Sequence, residues 1–226
     1  RILGSSIIGL DDHRPETIDT VIDHAVSHAT VFHQFMLYTP IPGTPLYEKH
    51  ERDGSLIPEA QLPPADAHGQ YRFNYHHPHI RDGKEGEYLL EAFRRDFRVN
   101  GPSLLRMIRV LLNGWQIYKN EPRKRIRQRI AREVFPLRST YAGAVWAMRK
   151  WFKNDPSLKE TAGKLLEDIY AAFGWKTRIV APLTGLFAFL SLKKEEGRLA
   201  GGWTYEPRSF CEKNGAALAL DKLPAT

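Results

Sequence analysis

Cysteine is all but missing. Cys211 stands alone among 226 residues. That excludes an intramolecular disulfide framework and any zinc or iron–sulfur centre ligated by this chain's thiolates alone. Histidine is missing from the second part, since all nine lie at or before His79. Acidic residues are scarce there too: residues 81–226 carry 28 Lys/Arg against 16 Asp/Glu, whereas residues 1–80 carry 5 against 10. The net charge of +7 thus conceals an acidic, His-containing first part and a basic second part, which predicts two units with different tasks. No uninterrupted apolar run reaches about 18 residues, so a membrane-spanning helix is not expected.

What is present is a globular balance, 42% hydrophobic and 26% charged, enough for a core. The opening run Ile2-Leu3-Gly4-Ser5-Ser6-Ile7-Ile8-Gly9-Leu10 reads as a buried strand and not as a signal peptide. With Arg1 in place of an initiator methionine, the expectation is a chain that begins partway through a longer protein. Asp11 to Thr17 lead into a helix, and Ile18, Val21, Ile22, Ala25, Val26 and Ala29 recur at three- and four-residue steps on its apolar face. Thr30 to Tyr38 is a second strand. Strand, helix, strand with short links predicts a βαβ unit with parallel strands. Three prolines and Gly43 then forbid regular structure until Thr44 caps a short helix with Pro45 at its first position. Residues 55–82 read as a long irregular loop or lid. From residue 83 onward only helices are expected, the last spanning roughly 177–199, followed by a loose tail.

The residues Ser5-Ser6-Ile7-Ile8-Gly9-Leu10-Asp11-Asp12, followed by an amphipathic helix, a strand and Tyr38-Thr39-Pro40-Ile41-Pro42-Gly43-Thr44-Pro45-Leu46-Tyr47, resemble the later part of a radical S-adenosylmethionine barrel. The similarity is greatest to the branch that also binds cobalamin, which includes a hopanoid methylase, and it covers residues 1 to about 54. The family's fifth strand has the pattern G-x-I-x-G-x-x-E. Ile7 and Gly9 match it directly, and Ser5 and Asp12 are conservative departures. The resemblance implies the last βα elements of a partial (β/α) barrel over 1–54; with the residue pattern that follows, the expected architecture is α/β plus all-α, with a loop or lid over 55–82, a helical extension over 83–200 and an extended tail over 201–226. It implies cofactor contacts at Ser5, Ile7, Gly9, Asp12, Gln34 and Tyr38. It also implies S-adenosylmethionine, a [4Fe–4S] cluster and cobalamin as cofactors of the intact enzyme, a 5′-deoxyadenosyl radical, and methylation or another C–H modification of a small-molecule or lipid substrate. The family's C-x-x-x-C-x-x-C triplet is not in this chain, so the cluster ligands are expected in a preceding part of the same protein.

Physical chemistry supports part of this independently. Small residues on a strand let a flat ring approach the backbone, and ligands gather at the carboxyl ends of parallel strands. His76, His77 and His79 are close enough in sequence to suggest a metal, or a lid packed over the barrel mouth. Residues 119–138 hold eight Lys/Arg against two acids, beside Trp115, Tyr118, Trp146, Trp151 and the apolar run 179–192. Basic residues beside aromatics suit an anionic membrane surface and also RNA. The expected location is cytoplasmic, peripheral to a membrane. A non-catalytic basic helical module that binds anionic membrane or RNA is the alternative reading.

Overall fold

β-branched and small residues set the first strand, β1 (Leu3–Ile8), and a mainly apolar run sets the second, β2 (Phe32–Leu37), which buries Phe35 and Leu37 in alternation. Between them lies α1 (Ile18–Ser27), which buries Ile18, Ile22, Ala25 and Val26. β1 and β2 form a two-stranded parallel sheet, and Tyr38 N donates to the Ile8 carbonyl at 2.8 Å just past the strand ends. The expected βαβ unit is therefore present. The structure, a computed structural model, describes residues 2–62 and 72–203. The tail from residue 204, with Cys211, lies outside the described residues, as does the middle of the expected lid.

The rest of the chain is helical: α2 (Pro45–Arg52), α3 (Lys84–Asn100), α4 (Ser103–Tyr118), α5 (Lys124–Glu133), α6 (Thr140–Trp151), α7 (Pro156–Phe173) and α8 (Trp175–Ala200), with 3₁₀ turns at Glu59–Gln61 and Phe135–Arg138. Thr44 caps α2, accepting from Tyr47 N at 3.3 Å, and Asp155 caps α7, accepting from Leu158 N at 3.0 Å. Both caps satisfy backbone donors that the first helical turn leaves without partners. Ser103 is the first helical residue and not the cap, which falls on Pro102.

Two units divide the described residues. The strand unit comprises Ser5–Ser27 and Gln34–Arg95. Its core joins Ile8, Ile18, Ile22, Phe35 and Leu37 to Phe73, Tyr75, Ile80, Leu89 and Ala92. The segment expected as a loop or lid over 55–82 is irregular, but its described end is core: Phe73 and Tyr75 are 4% and 1% exposed. Aromatic rings of this size gain more by burial than any open lid would allow. An antiparallel bridge between Leu56 and Tyr75 holds the two ends of that segment together. The division expected at residue 82 therefore moves, since Leu89 and Ala92 of α3 share the core of the strands.

The helical unit comprises residues 2–4, 28–33 and 96–203. Leu105, Ile108 and Leu112 of α4 pack with Val145 of α6, Leu165, Leu166 and Ile169 of α7, and Ala181 of α8. α6 and α8 meet backbone to backbone: a Cβ on Gly185 would stand 2.8 Å from the Gly143 carbonyl oxygen. A side chain at either glycine would push the helices apart. Pro182 and Gly185 lie within one continuous α8.

Candidate functional site

In the strand unit, a cluster of polar side chains gathers at the carboxyl ends of β1 and β2. β1 stops because Gly9 takes φ +87°, a left-handed conformation that side chains resist. Its carbonyl accepts from Tyr75 Oη at 2.9 Å. The N–H groups of Gly9 and Leu10 donate to His13 Nδ1 at 3.0 and 3.3 Å. The Leu10 carbonyl accepts from His77 Nε2 at 3.0 Å. Three side chains thus hold the loop after β1.

His77 is held in one tautomer by this geometry. Its Nε2 must donate, because the Leu10 carbonyl can only accept. Its Nδ1 must accept, because the N–H groups of His79 and Ile80 point at it from 3.1 and 2.9 Å. The ring is neutral, buried, and stacked on Phe73 at 5.0 Å between centroids. Both nitrogens are committed to backbone, so a metal role for His77 is not supported. Among the described residues, no group of three or more His, Cys, Asp or Glu side chains is placed to hold a metal.

Burial pushes the His77 pKa below its ordinary value, against a raising contribution from its Leu10 bond. Protonation would place a hydrogen on Nδ1 facing two N–H donors. With the folded pKa lowered, the folded state binds fewer protons than the unfolded chain, whose histidines titrate near about 6.5. Stability therefore falls as pH drops from about 6.5 toward the folded value, and levels off below it. Urea unfolding at stepped pH should show this decline, with a shallower one in His77→Phe. His33, whose pKa burial also lowers, leaves a residual slope in that variant. A decline unchanged in His77→Phe would refute the assignment.

A second group lies beside it. Asp11 Oδ2 accepts from Lys49 Nζ at 2.8 Å, which holds the Asp11 carboxyl below its usual range. Asp11 Oδ1 and His50 Nε2 face each other at 3.9 Å, and neither atom has a hydrogen-bond partner. His50 Nδ1 shares a 2.8 Å hydrogen bond with Ser55 Oγ. Tyr38 meets Tyr75 edge-on at 5.6 Å, and burial together with the Asp11 charge raises its pKa. Asn74 Nδ2 donates to the Pro40 carbonyl at 2.9 Å, tying the proline turn to the same cluster. Phe73, Tyr75 and His77, with Arg81 and Glu85, also wall an open cavity of about 530 Å³.

The residues expected from sequence fall into three groups. Ser5, Ile7 and Gln34 are exposed with Met36 on the sheet face opposite α1. Gly9 and Tyr38 come together at the strand ends. Asp12 is exposed, and its neighbour Asp11 makes the ion pair. Gly9 does accept a flat ring at close range, but that ring is Phe73, whose atoms lie 2.3 Å from where a Cβ would stand. Sequence reading missed His13, Lys49, His50, Phe73 and Tyr75, although the neighbouring His76, His77 and His79 pointed to this stretch.

Compared with known proteins, the chain matches no family model, no curated protein and no solved structure.

Proposed function

We propose that this chain is the carboxyl part of a radical S-adenosylmethionine enzyme, of the cobalamin-binding branch, and that β1 and β2 are the last strands of its partial (β/α) barrel. One observation carries the reading. Parallel sheets are stable when both faces are covered, and a two-stranded sheet is marginal alone. Here α1 and the strand-unit core cover one face, while the other exposes Ile7 at 43% and Met36 at 37%, beside Ser5 and Gln34. In a (β/α) barrel the face away from the helices is the interior. With Leu3 and Phe32, exposed at 63% and 40% on the same alternation, this face presents four apolar side chains, one hydroxyl and one amide, an uncovered apolar surface with two hydrogen-bonding groups.

The fit to the cofactors differs among them. Ile7 and Met36 would give an adenine its apolar contact, and Ser5 and Gln34 would supply hydrogen-bonding groups for its ring nitrogens. Tyr75, His77 and His13 would keep the loop after β1 in place at the rim. Cys211 alone cannot ligate a [4Fe–4S] cluster, so that ligand set does not fit this chain and would come from a preceding part of the protein. No residue here is assigned to cobalamin. When bound in the intact enzyme, these groups would supply a 5′-deoxyadenosyl radical for methylation or another C–H modification of a small-molecule or lipid substrate. The test is the coding frame upstream of Arg1. The proposal expects a C-x-x-x-C-x-x-C within about one domain length, roughly 150 residues; a start codon immediately before Arg1 would overturn it.

A further inference from the structure

The helical unit carries an apolar surface that its own core does not use. α8 buries Thr177, Ala181 and Gly185. At about 100° per residue, Ile179, Leu183, Leu186, Phe187 and Leu190 fall on the opposite side. They are exposed at 56%, 67%, 48%, 75% and 58%. A helix apolar on every side is ordinarily enclosed, and an exposed stripe of this length marks an interaction surface.

Charge selects the occupant. Lys176 precedes the stripe, and Lys193 and Lys194 follow it on the same side of the helix. All three are exposed, and no carboxylate falls on that side. Glu195 and Glu196 point away from it, although Lys193 reaches Glu196 at 2.6 Å in an exposed pair of little strength. A second copy of this helix would meet it badly. Antiparallel contact would set Lys176 against Lys193 and Lys194, and parallel contact would set like residue on like. A polynucleotide would satisfy the lysines and leave the apolar stripe in water. A surface with an apolar interior and an anionic face satisfies both.

We infer that α8 lies along an anionic lipid surface, with its apolar stripe sunk to the acyl boundary and its lysines among the headgroups. No helix among the described residues is long and apolar enough to cross a membrane, which agrees with a helix that lies on one. The surface differs from the one suggested by the basic segment in sequence. Two of the tryptophans near that segment are partly buried, since Trp115 stacks on Phe173 at 5.7 Å and Trp146 packs against the core, whereas Tyr118 and Phe135 are exposed singly. The inference is independent of the radical-enzyme reading.

The test is sedimentation of the full chain with vesicles of equal parts phosphatidylglycerol and phosphatidylcholine, and with vesicles of phosphatidylcholine alone. The anionic vesicles should bind the chain at low salt, and the neutral ones weakly. Lys176→Gln with Lys193→Gln and Lys194→Gln should weaken binding about a hundredfold, at about fivefold for each charge. Added salt should mimic this substitution. Leu183→Ser with Phe187→Ser should remove binding although the lysines remain. These side chains are exposed, so the folded core is untouched, and an unchanged thermal midpoint checks that. No binding to anionic vesicles at low salt would overturn the inference, as would binding that survives Leu183→Ser with Phe187→Ser. Binding to RNA without binding to vesicles would also overturn it, as would a dimer that those substitutions dissociate in a chain that ignores lipid.

Discussion

Gly9→Val is expected to destabilise the strand unit by roughly 2–6 kcal/mol, from a strained backbone and an overpacked contact together. Valine is poorly tolerated at φ +87°, because its branched Cβ crowds the backbone. The new Cβ would also meet the Phe73 ring at 2.3 Å, and that ring is held between Gly9 and His77. Relief would require Phe73 to leave a core in which it is 4% exposed. Gly43 separates the two effects. It has φ +82° with nothing within 4 Å of its Cβ direction, so Gly43→Ala should cost only the backbone strain, about 1–2 kcal/mol. Urea midpoints read the difference. A Gly9→Val protein as stable as Gly43→Ala would show that Phe73 does not sit on Gly9 in solution. A loss of ligand binding in Gly9→Val would accordingly report on the loop after β1, and not on direct contact with a ligand.

Asp96→Ala should cost the helical unit about 3–5 kcal/mol, the usual result of leaving one member of a buried ion pair alone. Asp96 and Arg106 side chains are 8% and 13% exposed. Arg106 donates through Nη1 and Nη2 at 3.1 and 2.6 Å, and Asn100 Nδ2 donates at 2.8 Å. Without the carboxylate, the guanidinium stays buried with its charge uncompensated. Asp96→Leu with Arg106→Met should recover much of the loss, since well-packed apolar pairs often match buried ion pairs. The pH dependence has a definite sign. Burial works to raise the Asp96 pKa, but the hydrogen bonds from Arg106 and Asn100 outweigh it and leave the pKa lowered. Its contribution is therefore present above the unfolded carboxyl value near about 3.9 and is lost as pH falls through the lower folded value. Asp96→Asn should flatten this acid limb of the urea stability curve. An equally steep limb in Asp96→Asn would place the acid sensitivity elsewhere.

Local patterns made the secondary structure legible. The spacing from Ile18 to Val26 fixed α1, Thr44-Pro45 fixed the start of α2, and Asp155-Pro156 fixed the start of α7. The parallel pairing of β1 and β2 followed from the short links around α1. What stayed hidden depends on the chain returning to itself. Tyr75 reaches Gly9 from 66 positions away, and His77 reaches Leu10 from 67. Nothing local to Phe73-Asn74-Tyr75-His76-His77 distinguishes such contacts from a lid. The G-x-I-x-G-x-x-E pattern drew attention to Asp12, yet Lys49 pairs with Asp11, because the turn after Gly9 decides which carboxylate faces α2. The outward stripe of α8 was hidden for another reason. Its sequence is apolar on every side, so periodicity cannot say which face is enclosed.

The central proposal is that the bare face of β1 and β2 belongs to a radical S-adenosylmethionine barrel. Its most direct test is 5′-deoxyadenosine formation by the whole encoded protein, purified without oxygen, given S-adenosylmethionine and reduced with dithionite. The account predicts that 5′-deoxyadenosine accumulates, and that Ile7→Asp, which sets a charge on the open face without touching the buried core, sharply lowers it. Absence of 5′-deoxyadenosine from a folded, cluster-loaded protein would contradict the account, as would full activity in Ile7→Asp.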